Sequence, residues 1–283
     1  SDLCRKPSDA DILVPGDTIS LIGTTSEHID YDMIDDLHVT AAEVDLLLEE
    51  GIKLAPLMKN TRVLRAYAGV RPLVSLSGDS SGRNISRGIV LLDHQERDGL
   101  KGLTTITGGK LMTYRLMAEQ ATDLVASKLG NTAPCITHTK PLPGSVESPK
   151  ALRKSASIAK PVYESAIYRH GERAEAFLSE QPRSQAIVCE CEMVTAGEIE
   201  YAIKKLDVKN LVDLRRRTRL GMGPCQGELC AYRAASLFQE YGDIGGHESA
   251  LLLKEFLEER WKGIKPIFWG DALREAEFSY WIY

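Results

Sequence analysis

Residues 186–242 read AIVCECEMVTAGEIEYAIKKLDVKNLVDLRRRTRLGMGPCQGELCAYRAASLFQEYG, and this stretch decides how the chain is organised. It contains Cys189-Glu190-Cys191 and, 33 residues further on, Cys225-Gln226-Gly227-Glu228-Leu229-Cys230. Two close pairs so far apart must converge to surround one metal centre. Thiolates are soft ligands, and four of them suit an iron–sulfur cluster or zinc. Structural zinc favours Cys-x2–4-Cys spacings, so the first pair fits zinc less well. A 2Fe–2S cluster is therefore the leading reading for Cys189, Cys191, Cys225 and Cys230. Structural zinc is the alternative, and disulfides or buried apolar thiols are the plainest one. Six cysteines in 283 residues without an export signal read as thiols or metal ligands before disulfides. Cys4 and Cys135 have no partner at ligand spacing.

Between the pairs the sequence predicts a small helical domain. Thr195 and Glu198 form a capping box, opening a helix with Ile199, Ala202 and Ile203 on one side. Asn210 caps a second helix through Leu211, Leu214 and Arg217. Gly221-Met222-Gly223-Pro224 makes a tight loop, and Cys225 falls near the start of a last helix. A helix start lowers a thiol's pKa and offers amide donors to cluster sulfurs. Arg215, Arg216, Arg217 and Arg219 either offset a cluster's negative charge or form a solvated helix face.

Outward from this domain, Ile12-Leu13-Val14, the turn Pro15-Gly16-Asp17 and Thr18–Gly23 predict a hairpin. Thr40 and Glu43 form another capping box for a helix from about Ala41 to Leu54. Residues 62–107 look β-rich, in Val63–Tyr67, Ile89–Leu92 and Leu103–Ile106, with a loop at Asp79–Asn84. A long helix is expected from about Leu111 to Leu129, with Gly130 at its end. Pro134, Pro141, Pro143 and Pro149 mark a linker, and residues 150–183 look helical and polar. After Gly245-Gly246 comes an aromatic tail: Trp261, Phe268, Trp269, Phe278, Tyr280, Trp281 and Tyr283. There Gly263 and Pro266 end one helix and Asp271 caps the next. These aromatics form either a satellite core or an interface for a partner protein.

The resulting class is α+β. Residues 1–130 form a mixed portion with a strand–helix unit, 131–185 a helical linker region, 186–242 the cysteine domain and 243–283 the helical tail. The net charge of −5 gives no general affinity for nucleic acid. No apolar run approaches the roughly 20 residues of a membrane span. The polar start Ser1–Lys6 is not a signal peptide. That start lacks an initiator methionine, and Tyr283 falls within an amphipathic helix, so a piece of a longer chain is expected. Residues 1–50 carry thirteen acids against Arg5 and Lys6, a solvated acidic face or a docking surface.

Four ordered motifs add a family reading: Ser20-Leu21-Ile22-Gly23-Thr24-Thr25; Ala68-Gly69-Val70-Arg71-Pro72-Leu73; Ile85-Ser86-Arg87; and Thr107-Gly108-Gly109-Lys110-Leu111-Met112-Thr113-Tyr114-Arg115. Together the set resembles the FAD-dependent glycerol-3-phosphate dehydrogenases, over nearly the whole chain. The cysteine domain resembles the bacterioferritin-associated-ferredoxin type of 2Fe–2S domain. The resemblance implies oxidation of glycerol 3-phosphate at C2 to dihydroxyacetone phosphate, with hydride passing to FAD. Electrons would leave through two partners, a sister flavoprotein subunit plus a membrane-anchoring iron–sulfur subunit, to quinone. The implied location is cytoplasmic, peripheral at the inner face of the cell membrane. Residues 1–130 would then be substrate domain plus a strand–helix unit returning to a flavin domain.

Arg71 and Arg87 match the family's motif arginines and would hold the substrate phosphate, which suits fork-shaped cationic donors. Gly108, Gly109, Lys110 and Thr113 would line the flavin, with helix-start amides or the Lys110 charge facing an anionic group. A surface salt bridge for each arginine, and a tight turn or close packing for the glycines, are the plain alternatives. His28 is a weak candidate general base; the other reading is a surface loop histidine. Gly108-Gly109-Lys110-Leu111 is not a P-loop, because Leu111 replaces the magnesium-binding hydroxyl. No G-x-G-x-x-G segment is present to hold the FAD pyrophosphate, so these 283 residues alone are not expected to bind FAD tightly. Other functions in view are a zinc-stabilised tether for partner subunits and a related FAD-dependent amine oxidase.

Overall fold

The computed structural model describes residues 12–16, 18–71, 88–142, 158–178 and 181–282. Arg87 and the loop expected at 79–84 lie outside them. The fold is α+β: helices dominate, and the described sheets are two-stranded antiparallel pairs.

Strands β1 (Ile12–Pro15) and β2 (Ser20–Gly23) form the expected hairpin, with Ile12 opposite Gly23 and Pro15 opposite Ser20. Helix α1 (Ala41–Leu54) starts at a complete capping box. The Thr40 hydroxyl accepts the Glu43 N–H at 3.3 Å, and the Glu43 carboxylate accepts the Thr40 N–H at 3.0 Å. Val63–Tyr67 is extended but pairs with no described strand. Its donors go elsewhere, as strand β3 (Ile89–Asp93), helix α2 (His94–Asp98), strand β4 (Thr104–Gly108) and helix α3 (Tyr114–Lys128) continue the chain. Strand β3 pairs with β4, Ile89 opposite Gly108. A single 3-10 turn, Leu111–Thr113, precedes α3, so the α-helix itself begins three residues later than expected.

Helices α4 (Lys160–His170) and α5 (Pro182–Gln185) lead into strands β5 (Ile187–Cys189) and β6 (Val194–Thr195). Then follow α6 (Ala196–Lys205), α7 (Leu211–Thr218), α8 (Cys230–Tyr241), α9 (Gly246–Ile264) and α10 (Gly270–Ile282). Helix α9 ends at Ile264, as expected from Pro266 and Gly263. That glycine serves packing: a Cβ there would lie 3.0 Å from the Ala66 carbonyl oxygen and 2.8 Å from Arg65 Nε. The Gly263 carbonyl, one of the end carbonyls a helix cannot pair internally, accepts the Ala66 N–H at 2.8 Å. The Arg65 guanidinium donates to the Glu259 carbonyl and carboxylate at 3.4 and 3.2 Å. A helix end thus takes the donors that a neighbouring strand would have taken. Asp271 lies inside the first turn of α10 rather than capping it.

The chain divides into two compact units: Ser1–Thr25 with His38–Ala68 and Gly144–Tyr283, and Ser26–Leu37 with Gly69–Pro143. In the first, α6 packs on α7 and α8, and α8 on α9. Val194, Ile199, Leu211, Leu214 and Leu220 are fully buried there beside Cys189 and Cys230. Each such aliphatic side chain contributes about 1.5–3 kcal/mol by leaving water. A second cluster joins Ala166, Ile167, Ala174, Phe177 and Leu178 to Tyr201, so the stretch that reads as polar carries an apolar side. Phe256 of α9 completes the main core, its ring where Cβ atoms on Gly221 and Gly227 would be, 3.1 and 2.5 Å from its Cζ. In the second unit no described residue is fully buried, and Leu111 and Leu129 are 93% and 79% exposed.

Candidate metal centre

Cys189 ends β5, Cys191 lies in the turn to β6, Cys225 sits in the glycine loop, and Cys230 is the first residue of α8. Helix α8 therefore begins at the second cysteine of its pair, not near Cys225 as the sequence suggests. All four are free thiols. Cys189 hydrogen-bonds to Cys230 and Cys191 to Cys225, so each contact joins one member of either sequence pair. Backbone amides also converge on the sulfurs. Gly221 and Glu192 donate to Cys189, Gly221 to Cys230, and Cys225 to Cys191. Gly221 and Gly227 have φ of +75° and +89°, which costs a non-glycine residue roughly 1–2 kcal/mol. At Gly223 a Cβ would fall 2.3 Å from the Cys191 Cβ, so only glycine lets the loop approach.

The Cys230 thiol donates to Cys189 and, with the Gly221 and Glu192 amides, outweighs burial to bring Cys189 down to about 6. That same hydrogen bond, with burial added, pushes Cys230 well above a normal thiol. Among the described residues no three His, Cys, Asp or Glu side chains gather about one point suited to a single ion. The donor set, four thiols in two contacts with amides aimed at them, fits an iron–sulfur cluster.

Charged groups surround this arrangement. The buried Glu192 carboxylate accepts Arg219 Nε at 2.7 Å and the Thr18 hydroxyl at 2.5 Å. Burial and the nearby Arg65 guanidinium lower the Arg215 pKa to about 10, and Arg215 donates to Gln226 Oε1 at 3.3 Å. Gln226 in turn donates to the Met222 and Gly223 carbonyls at 3.0 Å, bracing the glycine loop. Arg216 and Arg217 are exposed, whereas Arg215 and Arg219 are partly buried.

Glu198 departs from the sequence reading. Its N–H donates to the Thr195 hydroxyl at 3.2 Å, half of a capping box. Its fully buried carboxylate instead accepts Arg169 Nε and Nη2, each at 2.7 Å, and contacts His170 Nε2 at 2.8 Å. Arg169, 29 residues earlier, has no local signal that marks it.

The other expected site residues within the described stretches belong to the second unit. Arg71 Nη1 donates to the Ser26 hydroxyl at 3.1 Å. His28 is exposed in a loop. Gly108 and Gly109 have φ of +74° and +72°. A Cβ on Gly108 would meet the Gly88 carbonyl oxygen at 2.3 Å, and one on Gly109 the Met117 sulfur at 2.4 Å. The Gly109 N–H donates to Gly88 and the Lys110 N–H to the Thr113 hydroxyl, at 3.2 and 2.8 Å. Those amides are engaged inside the turn, while the Lys110 side chain is exposed.

Residues 187–240 match the family described as BFD-like 2Fe-2S binding domain. Over 281 residues, 99% of this chain, the sequence is 65% identical to the A subunit of anaerobic glycerol-3-phosphate dehydrogenase from Escherichia coli (strain K12), of which it covers 52%. The same-named protein of Haemophilus influenzae is 62% identical, again over 99% of this chain and 50% of that one. The A1 subunit of anaerobic glycerol-3-phosphate dehydrogenase from Haloferax volcanii is 38% identical over 99% of this chain and 47% of its own length. No solved structure matches. The chain spans about half the length of the curated relatives it matches. Among the described residues no helix is long and apolar enough to cross a membrane. Over almost its whole length the chain is thus similar to one half of the A subunits of anaerobic glycerol-3-phosphate dehydrogenase, and residues 187–240 match the BFD-like iron–sulfur family.

Proposed function

We propose that this chain is the cluster-bearing and substrate-binding portion of a quinone-linked glycerol-3-phosphate dehydrogenase. The whole enzyme would oxidise sn-glycerol 3-phosphate to dihydroxyacetone phosphate. The observation that carries the reading is the pair of thiol contacts, Cys189 with Cys230 and Cys191 with Cys225, inside the region matched by the 2Fe–2S family. A two-iron cluster needs four thiolates, and the amides of Gly221, Glu192 and Cys225 supply the hydrogen bonds that set its potential. FAD, when bound, would accept the hydride from C2, and the cluster would relay electrons onward.

Arg71 and Arg87 are proposed to hold the phosphate dianion, and the exposed Lys110 ammonium to face an anionic group of substrate or flavin. Thr113 fixes the turn that presents Lys110, through its hydroxyl contacts with the Lys110 amide and carbonyl. Gly108 and Gly109 let that turn close on Gly88. The pyrophosphate of FAD lacks a glycine fingerprint here, and no step is assigned through it. His28 remains the candidate base. The proposed partners are a sister flavoprotein subunit plus a membrane-anchoring iron–sulfur subunit, placing the protein in the cytoplasm at the inner membrane face.

The test is anaerobic purification followed by iron and sulfide analysis, visible absorption and paramagnetic resonance after dithionite reduction. Two irons and two sulfides per chain, with a reduced-state signal lost in Cys189→Ser and Cys230→Ser, are expected. Colourless, zinc-loaded protein would overturn the reading. Stoichiometric flavin co-purifying with these 283 residues would contradict the missing pyrophosphate site.

A further inference from the structure

The Arg169 network reaches the cysteines through the backbone of a single residue. Glu192 follows Cys191 directly, and its N–H is aimed at the Cys189 sulfur. Its carboxylate is gripped by Arg219 and Thr18. Its carbonyl accepts Arg169 Nη1 at 2.9 Å and the Ser165 hydroxyl at 3.2 Å. Arg169 Nη1 also donates to Ser165 Oγ at 2.5 Å, and Nη2 reaches the Met193 carbonyl at 3.5 Å. Met193 has φ of +52°, a conformation that needs external support in a residue with a side chain. The Arg169 side chain is 4% exposed, and Glu198, wholly buried, supplies its counter-charge. Both Arg169 and Ser165 lie on α4, before the residues 187–240 that match the iron–sulfur family.

We propose that Arg169, assisted by Ser165, is a positioning residue for the electron relay: by holding the Glu192 carbonyl it keeps the Glu192 N–H directed at the Cys189 sulfur. This rests on the cluster reading above. Hydrogen bonds to cluster sulfurs raise the reduction potential because they stabilise the more negative, reduced form. Helix α4 is then part of the redox site, not a spacer ahead of it. Holding Glu192 at both its carbonyl and its carboxylate narrows the φ and ψ it can reach, and with them the swing of its amide.

The experiment is a redox titration of anaerobically prepared protein, followed by paramagnetic resonance, with electron spin-echo detection of the amide nitrogen coupled to the reduced cluster. Arg169→Gln combined with Glu198→Gln removes the clamp while leaving the local charge sum unchanged. At the ambient potential that half-reduces the wild type, the reduced-to-oxidised ratio is expected to fall about tenfold, or 59 mV for one electron. The amide coupling should weaken with it. Ser165→Ala should shift the ratio in the same direction by a smaller factor, and Arg169→Lys should restore part of the loss. A folded, cluster-loaded double variant with wild-type potential and coupling would overturn the proposal while leaving the cluster reading intact. If the double variant does not load a cluster, a wild-type potential in Ser165→Ala overturns it instead. Absence of any cluster in the wild type would remove both.

Discussion

The unit that holds the cysteines and the unit built on β3, β4 and α3 use similar amino acids to different ends. In the first, leucine, isoleucine, alanine and phenylalanine from α6 to α9 close over the sulfurs, and several reach zero exposure. In the second, a hairpin and one helix leave leucines and aromatics in solvent, and no described residue is fully buried. Their polar groups follow the same division. Near the cysteines the Glu198 and Glu192 pairs are largely buried and join different elements, while Arg233 with Glu190 is exposed. Those of the second unit are partly exposed, whether local, as Arg115 with Glu119, or between elements, as Lys128 with Asp93. The contrast teaches that the cysteine-bearing unit is stabilised by the same contacts that shape its site. The strand–helix half draws little stability from its own interior.

The contrast can be broken most sharply at Glu198. Replacing it with alanine strands the buried Arg169 charge and should cost about 3–5 kcal/mol in denaturant titrations followed by circular dichroism. A loss no larger than that of a surface substitution would show that the buried network adds nothing. Leu214→Ala, at zero exposure, should cost about 2–5 kcal/mol by the same measurement. Thr40→Ala, which removes the cap of α1, should cost about 1 kcal/mol at neutral pH. Its pH dependence has a definite sign. Partial burial raises the Glu43 pKa, but the Thr40 amide and the Thr25 and Thr40 hydroxyls outweigh that and hold it below its usual range. A lowered carboxyl pKa adds stability above the unfolded value, about 4.3, and loses it as pH falls through the folded value. The gap between wild type and variant should therefore narrow below about pH 4 and stay flat above about pH 5. Leu129→Ala, with 79% of the residue exposed, should stay within about 0.5 kcal/mol. If Leu129→Ala matched Leu214→Ala, the two units would not differ as described.

Much of this was legible in the residues alone. The hairpin, α1 with its cap, the Asn210 cap and the α3 helix follow from local patterns that tertiary contacts leave undisturbed. The spacing of the cysteines also announced two pairs that needed each other. What escaped was the use of familiar letters for distant purposes. Thr195 and Glu198 spell a capping box, but an arginine from another helix offers the carboxylate a stronger, charge-assisted partner. Gly263 marks the end of α9 as read, but its missing side chain also admits the Arg65 guanidinium and the Ala66 carbonyl, which no local pattern shows. Val63–Tyr67 has the composition of a strand, and the end of α9 takes its donors. Arg169 carries no pattern at all, because the carbonyls and the carboxylate it holds lie 23 to 29 residues away.

The seat of Phe256 bears on where this protein can be divided. The sequence boundary of its iron–sulfur domain falls at residue 240, before α9 begins at Gly246. A module excised along that boundary would carry both glycines yet lose the benzyl group wedged against them. The hinge of the sulfur-bearing loop would then open onto water. An engineer transplanting the cysteine domain would have to take the following helix with it, since its ring is the keystone of a loop it does not belong to.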